Sequence, residues 1–308
     1  MPEASSQRPL LTPNQRAWKR FWRNRPAKFS TVFIAALALA VCLWPLVAWH
    51  DPAKITDAQF QPPSSQHWFG TDVHGRDVFS RVLYGAQISL LVGIVGAGVS
   101  LVIGVLWGAI AGYAGGRTDS TMMRFVDILY SLPSIIFVIV LITTLEGLWQ
   151  SWLATTGSAT LARYSRLFFL FVGLGAVSWL NMARIVRGQV LSLRTRQFVD
   201  ASRVLGAGTG WILRRHIIPN VWGVVIVYLT LTVPAIVLYE SFLSYLGLGI
   251  QPPMASWGSL IAEGAEQINP IRIYWWLIVF PGGVLVSTLL ALNFLGDGLR
   301  DAWDVRNN

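Results

Sequence analysis

Charge is the scarcest property of this 308-residue chain. Asp, Glu, Lys and Arg together make up 13% of it, about half the ~25% of a soluble domain. That shortfall excludes a water-soluble globule, a disordered polar protein and a charged coiled coil. Lysine is nearly missing: only Lys19, Lys28 and Lys54 occur, and none follows a glycine. A phosphate-cradling G-x-x-x-x-G-K-[ST] loop is therefore absent, and the chain cannot hydrolyse ATP by that route. One cysteine, Cys42, excludes an internal disulfide framework. Among the four histidines, His50, His67 and His74 share one loop and His216 stands apart. The spacing of His67 and His74 fits no common metal-ligand pair, so loop structure is expected there and no metal site. Gly206–Gly210 lacks the G-x-G-x-x-G order of a dinucleotide site, and no paired catalytic carboxylates stand out. The expectation is a protein that is not an enzyme and holds no cofactor or metal of its own.

What is present is apolar. Hydrophobic types account for 54% of residues, with 15 tryptophans. A membrane-spanning helix needs about 20 mostly apolar residues. Stretches without charge run over Phe29–Trp49, Val82–Gly116, Ile128–Leu145, Leu167–Ala183, His216–Tyr239 and Ile273–Gly296. They predict an all-α polytopic membrane protein with six transmembrane helices. Two further uncharged stretches are rich in glycine, proline or hydroxyl residues: the second half of Ser241–Ala262 is expected as a loop or re-entrant segment, not a seventh span, and Gly147–Ala162 as a loop. The expected layout is a cytoplasmic tail over 1–28, a first helix over 29–49, an external loop over 50–85, a core over 86–298 and a cytoplasmic tail over 299–308. Basic residues choose the sides. The tail to Lys28 carries seven (Arg8, Arg16, Lys19, Arg20, Arg23, Arg25, Lys28), and so does the segment holding Arg184, Arg187, Arg194, Arg196, Arg203, Arg214 and Arg215. Against these, the loop 50–81 balances Lys54, Arg76 and Arg81 with four aspartates. Positive-inside bias places both termini in the cytoplasm. The long polar tail ahead of Phe29 argues for an uncleaved anchor rather than a signal peptide.

Gly96, Ser100, Gly104, Gly108, Gly112 and Gly116 recur every four residues in the second span. In lipid such a stripe permits close backbone approach, where van der Waals packing must supply the attraction; tight bundle packing is the plainer account, a sliding pathway helix the sharper one. Asp127, Glu146 and Glu240 lie at span edges, where arginine-partnered carboxylates are expected. No relay of acids or histidines threads the spans, and the halves show no internal repeat, which weighs against a self-sufficient secondary transporter.

The segment 187–219 is too polar to span and too long for a tight turn. Its pattern predicts a short helix, a glycine turn and a second element leading back into the membrane. Asp200, Ala201 and Ser202 offer small side chains for docking in a partner's groove; the plainer reading is a basic loop facing lipid headgroups. The residues resemble the E-A-A, three residues, G, nine residues, I, one residue, L-P loop of bacterial ABC-importer permeases. The corresponding positions are Asp200-Ala201-Ser202, Gly206, His216 and Ile218-Pro219. Asp replaces Glu, Ser the second Ala, His the first Ile and Ile the Leu, with the spacing intact.

Three further blocks narrow the resemblance: His67-Trp68-Phe69-Gly70-Thr71-Asp72 with Gly75-Arg76-Asp77 and Ser80-Arg81; Ser241 through Gly249 with Gln251-Pro252-Pro253 and Ser256-Trp257-Gly258; and Asn293 through Asp301. Together they resemble the C-type permeases of peptide and nickel importers, most closely the oligopeptide branch, over roughly 66–305. Asp304-Val305-Arg306 departs from the family's Asp-Pro. The resemblance implies a type I ABC importer permease fold in the bacterial inner membrane. It implies Asp200, Ala201, Ser202, Arg203, Gly206, His216, Ile218 and Pro219 as the coupling, ATPase-docking residues. The implied partners are a second permease, two ATPase subunits that bind the ATP and Mg, and an extracytoplasmic binding protein, with no nucleic acid. The cargo expected is oligopeptide, with dipeptide or nickel chelate as alternatives. The segment Gly247–Trp276 is expected, from the same resemblance, as a short helical scoop.

Overall fold

A computed structural model describes residues 13–303 apart from 48–49, 157–158 and 253. The described residues form eleven α-helices and no strand beyond one isolated bridge, Thr71 with Asp77. In chain order these are α1 (Pro13–Arg23), α2 (Arg25–Val47), α3 (Val78–Ala114), α4 (Gly116–Ser131), α5 (Ser134–Thr156), α6 (Ala159–Leu193), α7 (Gln197–Val204), α8 (Thr209–Ile212), α9 (Ile218–Tyr245), α10 (Trp257–Glu266) and α11 (Trp276–Trp303). Six segments are long and apolar enough to cross a membrane: Arg25–Trp44, Val78–Ala114, Ser134–Trp152, Leu167–Leu193, Thr209–Tyr245 and Trp276–Trp303. They correspond one for one to the six expected spans. The first membrane helix, expected over 29–49, begins at Arg25, and of the expected tails 1–28 and 299–308 the residues 1–12 and 304–308 lie outside the described residues.

Several boundaries differ, each for a local reason. α3 begins at Val78, inside the expected loop 50–85, because Asp77 caps it by accepting Ser80 N–H at 2.8 Å. The third span begins at Ser134 rather than Ile128. Pro133 breaks the chain there, and the residues before it form α4, which has its own buried stripe of Met123 and Val126. Gly147–Ala162, expected as a loop, is helical through Thr156 and again from Ala159. Trp149 and Trp152 continue the apolar pattern, and the Trp149 ring meets Phe169 edge-on at 6.1 Å. The scoop between Gly247 and Trp276 contains α10, closed by a reciprocal cap in which Ser256 and Ser259 each accept the other's N–H.

The bundle is organised on α3. Along its C-terminal half it lies on α6, and along its N-terminal half on α9. α11 packs against α2 and α9, α10 sits between α9 and α11, and α5 leans on α6. The glycine stripe is spent on these contacts up to Gly112, whereas Gly116 begins α4 and has nothing within 4 Å of an added Cβ. A Cβ added at Gly104 would lie 2.6 Å from Met182 Cβ, and one at Gly112 would lie 2.9 Å from the Arg187 carbonyl. Gly108 faces Ala183 O and Val186, and Gly93 faces Val237 of α9. Tight packing, the plainer of the two readings, is what these glycines do here.

Replacing Gly104 by valine is expected to force α3 and α6 apart and cost about 1–3 kcal/mol, read as a lowered Tm of the purified chain. Gly98→Ala is the control: nothing lies within 4 Å of its added methyl, so its Tm should stay level or rise.

Candidate functional site

The segment 187–219 folds as a knuckle at the end of the bundle. α6 runs to Leu193, a short turn follows, and α7 carries Asp200, Ala201 and Ser202. α7 ends in a left-handed cap: Gly206 has φ +80°, Gly206 N–H reaches the Arg203 carbonyl at 2.9 Å, and Ala207 N–H reaches the Ser202 carbonyl at 3.0 Å. α8 follows, then a five-residue π-turn over Leu213–Ile217 that runs straight into α9. Val199, Ile212 and Ile217 are buried and bind this unit to Val186 and Val190 of α6 and Val221 and Val225 of α9. The knuckle is therefore fixed to two membrane helices by apolar packing.

The expected docking residues divide. Asp200 and Ala201 are exposed, and Asp200 pairs with Arg203 at 2.9 Å. Ser202 is not presented: it is buried and donates its hydroxyl to the Phe198 carbonyl at 2.8 Å. His216 is half-buried between the rings of Trp211 (5.0 Å) and Phe198 (5.9 Å), and Ile218 is half-buried. Pro219 sits exposed in the first turn of α9, where its missing N–H costs nothing. Sequence reasoning missed the tip itself. Val204 and Leu205 are 88% and 87% exposed, and Phe198 and Trp211 also show apolar surface. The available signal was that Val204 and Leu205 fall off the stripe defined by Val199.

Around the knuckle, arginines tie the elements together. Arg203 lies over the Tyr113 ring with 5.3 Å to the centroid, and Arg194 donates to the Gly112 carbonyl at 3.2 Å. Tyr113, Ala114, Arg194, Thr195, Asp200 and Arg203 line an open polar concavity of about 410 Å³. α4 is clamped to α6 by Arg187–Asp119 (2.5 and 2.7 Å) and Arg184–Asp127 (2.7 Å). The Arg187 hydrogen bonds, working against partial burial, hold the Asp119 carboxyl below the usual carboxylate range. Asp127 has the arginine partner expected of it. Glu240 does not: fully buried, it accepts from Ser89 (2.9 Å) and Ser244 (2.7 Å).

At the opposite end, the loop 50–77 is pinned on α10. Arg81 bridges Asp72 (2.6 Å) and Glu263 (2.6 and 2.9 Å), and Arg76 reaches Asp72 (2.7 Å) and Glu263 (3.1 Å). Burial opposes ionisation of Asp72, but Arg81 and Arg76 together hold its carboxyl below the ordinary range. His67 bonds Asp77 through Nδ1 at 2.9 Å, and the histidine ring that approaches it is that of His50, at 4.8 Å, not His74.

Two family descriptions match the sequence. Residues 104–307 match "Binding-protein-dependent transport system inner membrane component", and residues 12–63 match "N-terminal TM domain of oligopeptide transport permease C". The chain belongs to the binding-protein-dependent inner-membrane permease family. It is a multi-pass inner-membrane transport component, not an enzyme. It is 44% identical to the oligopeptide transport system permease protein OppC of Haemophilus influenzae over 95% of this chain and 88% of that one. It is 45% identical to OppC of Escherichia coli K12 (95% and 91%) and 43% identical to the dipeptide transport system permease protein DppC of Bacillus subtilis (97% and 88%). A solved chain of the MetNI methionine ABC transporter in an inward-facing conformation superposes with TM-score 0.53 at 20% identity, covering 73% of this chain and 97% of that one. At that identity the likeness establishes the fold, an ABC importer permease bundle.

The permease's Asp72 links its loop to α3 and α10, so Asp72→Asn should leave the buried Arg81 with Glu263 as its one carboxylate and cost about 1–3 kcal/mol. The sign follows from a lowered carboxyl: the stabilisation is whole above about pH 4, the unfolded value, and is lost as pH falls through the native one. Hydrogen exchange of residues 50–77, corrected for intrinsic rates, should loosen in that acid window in the wild type and already at neutral pH in Asp72→Asn.

Proposed function

We propose that this chain is the translocation-pathway subunit of an ATP-driven peptide importer, moved by separate ATPase subunits that seat on the knuckle. The observation that carries the reading is the tip. Val204 and Leu205 stand out almost fully exposed on a unit whose roots are fully buried in α6 and α9. Two large aliphatic side chains held in water on a rigid cap are costly alone and favourable once covered, at roughly 1.5–3 kcal/mol each. The sequence around them carries the family's loop spacing, with Asp200, Ala201, Ser202, Gly206, His216, Ile218 and Pro219 at the matching positions.

The rest of the assembly follows from what this chain lacks. It has no P-loop lysine, so ATP and Mg are bound by the partners. Six helices give half of a two-sided pathway, and a second, similar permease supplies the other half. Counting spans from the knuckle, α1, the end of α11 and the α4 segment fall at the same end, where Arg117, Arg124, the basic residues from Arg16 to Lys28 and those from Arg184 to Arg215 also lie. Positive-inside bias then assigns that end to the cytoplasm and the loop pinned by Arg81 to the binding-protein side. Closure of the ATPases would displace the knuckle, and α6 and α9 would carry that displacement into the bundle. Peptides are the cargo that the relatives' names favour. Oligopeptide and dipeptide permeases match this chain almost equally well, at 45% and 43%, so the binding protein is the component that decides length.

In the reconstituted importer, Val204→Asp with Leu205→Asp should weaken ATPase association roughly tenfold or more per residue, with the permease Tm unchanged. Gly206→Pro, which cannot adopt φ +80°, should leave basal ATP hydrolysis running without uptake. A cross-linker on Leu205→Cys in a Cys42→Ser background should capture a nucleotide-binding subunit; capture of lipid alone would overturn the assignment.

A further inference from the structure

The helix that precedes the first span shares none of the tasks assigned so far. α1 is an 11-residue amphipathic helix, PNQRAWKRFWR, joined to α2 by the single residue Asn24. At 3.6 residues per turn its side chains fall on three arcs. Ala17 and Phe21 form the first; both are buried, against Ala27 of α2 and Leu295, Leu299 and Ala302 of α11. Gly298 lets α11 approach that closely, because a Cβ there would meet Ala27 and Phe21. Trp18 and Trp22 form the second arc, one turn apart; they are 51% and 41% exposed, with edge-to-face ring contact at 5.8 Å. Arg16, Lys19, Arg20 and Arg23 form the third.

We propose that α1 is a binding site for anionic phospholipid, lying in the headgroup layer of the leaflet at the knuckle end. Four observations point to one occupant. The helix is anchored on two membrane spans, so it cannot leave the bilayer edge. Its free apolar arc is made of tryptophan, whose ring suits the boundary between headgroups and acyl chains. Its polar arc is wholly basic, and among the described residues no carboxylate pairs with Arg16, Lys19 or Arg23; Asp297 and Asp301 of the facing α11 are exposed and make no ion pair with them. Arg25, Lys28 and the exposed Phe29 continue the same chemistry into the first turn and a half of α2. A soluble protein partner would have to cover the indoles and replace the membrane that the adjoining span already requires. Phosphate oxygens answer the guanidinium and ammonium groups, and the acyl chains of the same molecule answer the indoles.

The test uses the full chain in nanodiscs, with a bimane label on Trp22→Cys in a Cys42→Ser background. Quenching is compared between brominated phosphatidylglycerol and brominated phosphatidylcholine at equal mole fraction. The expected result is quenching by both, with phosphatidylglycerol associating about fivefold or more tightly. Adding Arg16→Gln, Lys19→Gln and Arg23→Gln, all on the surface, should bring that preference to unity while the label stays quenched. Absence of quenching by either lipid, or equal quenching of the unmodified arc by both, would overturn the proposal. Displacement by millimolar glycerol phosphate in solution would do so too, since it would assign the arc to free phosphate rather than to the bilayer.

Discussion

The close approach of α3 to α6 is the contact on which the rest of the molecule depends. In lipid no hydrophobic gain draws helices together, so two long helices hold only if their backbones can touch. Gly104, Gly108 and Gly112 permit this against Met182, Ala183, Val186 and Arg187. The same α6 carries the knuckle at its end and receives the Arg187 and Arg184 bridges from α4. In the importer proposed above, a displacement entering at the tip would meet this close-packed seam instead of a loose loop.

The two ends of the bundle are held in different ways. At the knuckle end the fixing contacts are mixed: Val199, Ile212 and Ile217 sit among the valines of α6 and α9, and Arg187–Asp119 and Arg184–Asp127 tie α4 to α6. At the far end they are ionic, with Arg81 enclosed between Asp72 and Glu263 and the loop backbone closed over them. A buried ion pair is near its optimum in one geometry and loses heavily when parted, because each charge is then left uncompensated. The loop is thereby held in one arrangement on α10. Glu240, enclosed by serines where α3, α9 and the start of α10 meet, extends the rigid polar region inward.

Most of this was legible in the sequence because charge-free length is a strong signal. The six spans and the scoop around Trp257 stand where hydropathy and resemblance put them. What escaped was decided by local competition. Pro133 splits one apparent stretch into the amphipathic α4 and the apolar α5, and a search for uncharged runs cannot see a helix that carries Arg117, Asp119, Arg124 and Asp127. Glycine and threonine at 147–156 read as loop chemistry, yet Trp149 and Trp152 keep the helix going. In the knuckle the spacing located the unit but not its orientation: Ser202 turns in to bond the Phe198 carbonyl, and Val204 and Leu205 turn out. Which member of a small triplet faces outward depends on the tertiary anchors Val199 and Ile217, which lie eighteen residues apart in the chain.

One feature of the knuckle's root bears on the kind of movement it can deliver. Leu213–Ile217 is wound as a wide turn continuous with α9. Such a turn holds an extra residue relative to the ordinary helix, so exchanging one winding for the other re-phases everything beyond it by about 100°. In the importer proposed above, the tip and the membrane helix would thus be joined by a turn that can be re-phased, and a second conformational state wound as plain α-helix over these five residues would display the angle of the turn directly.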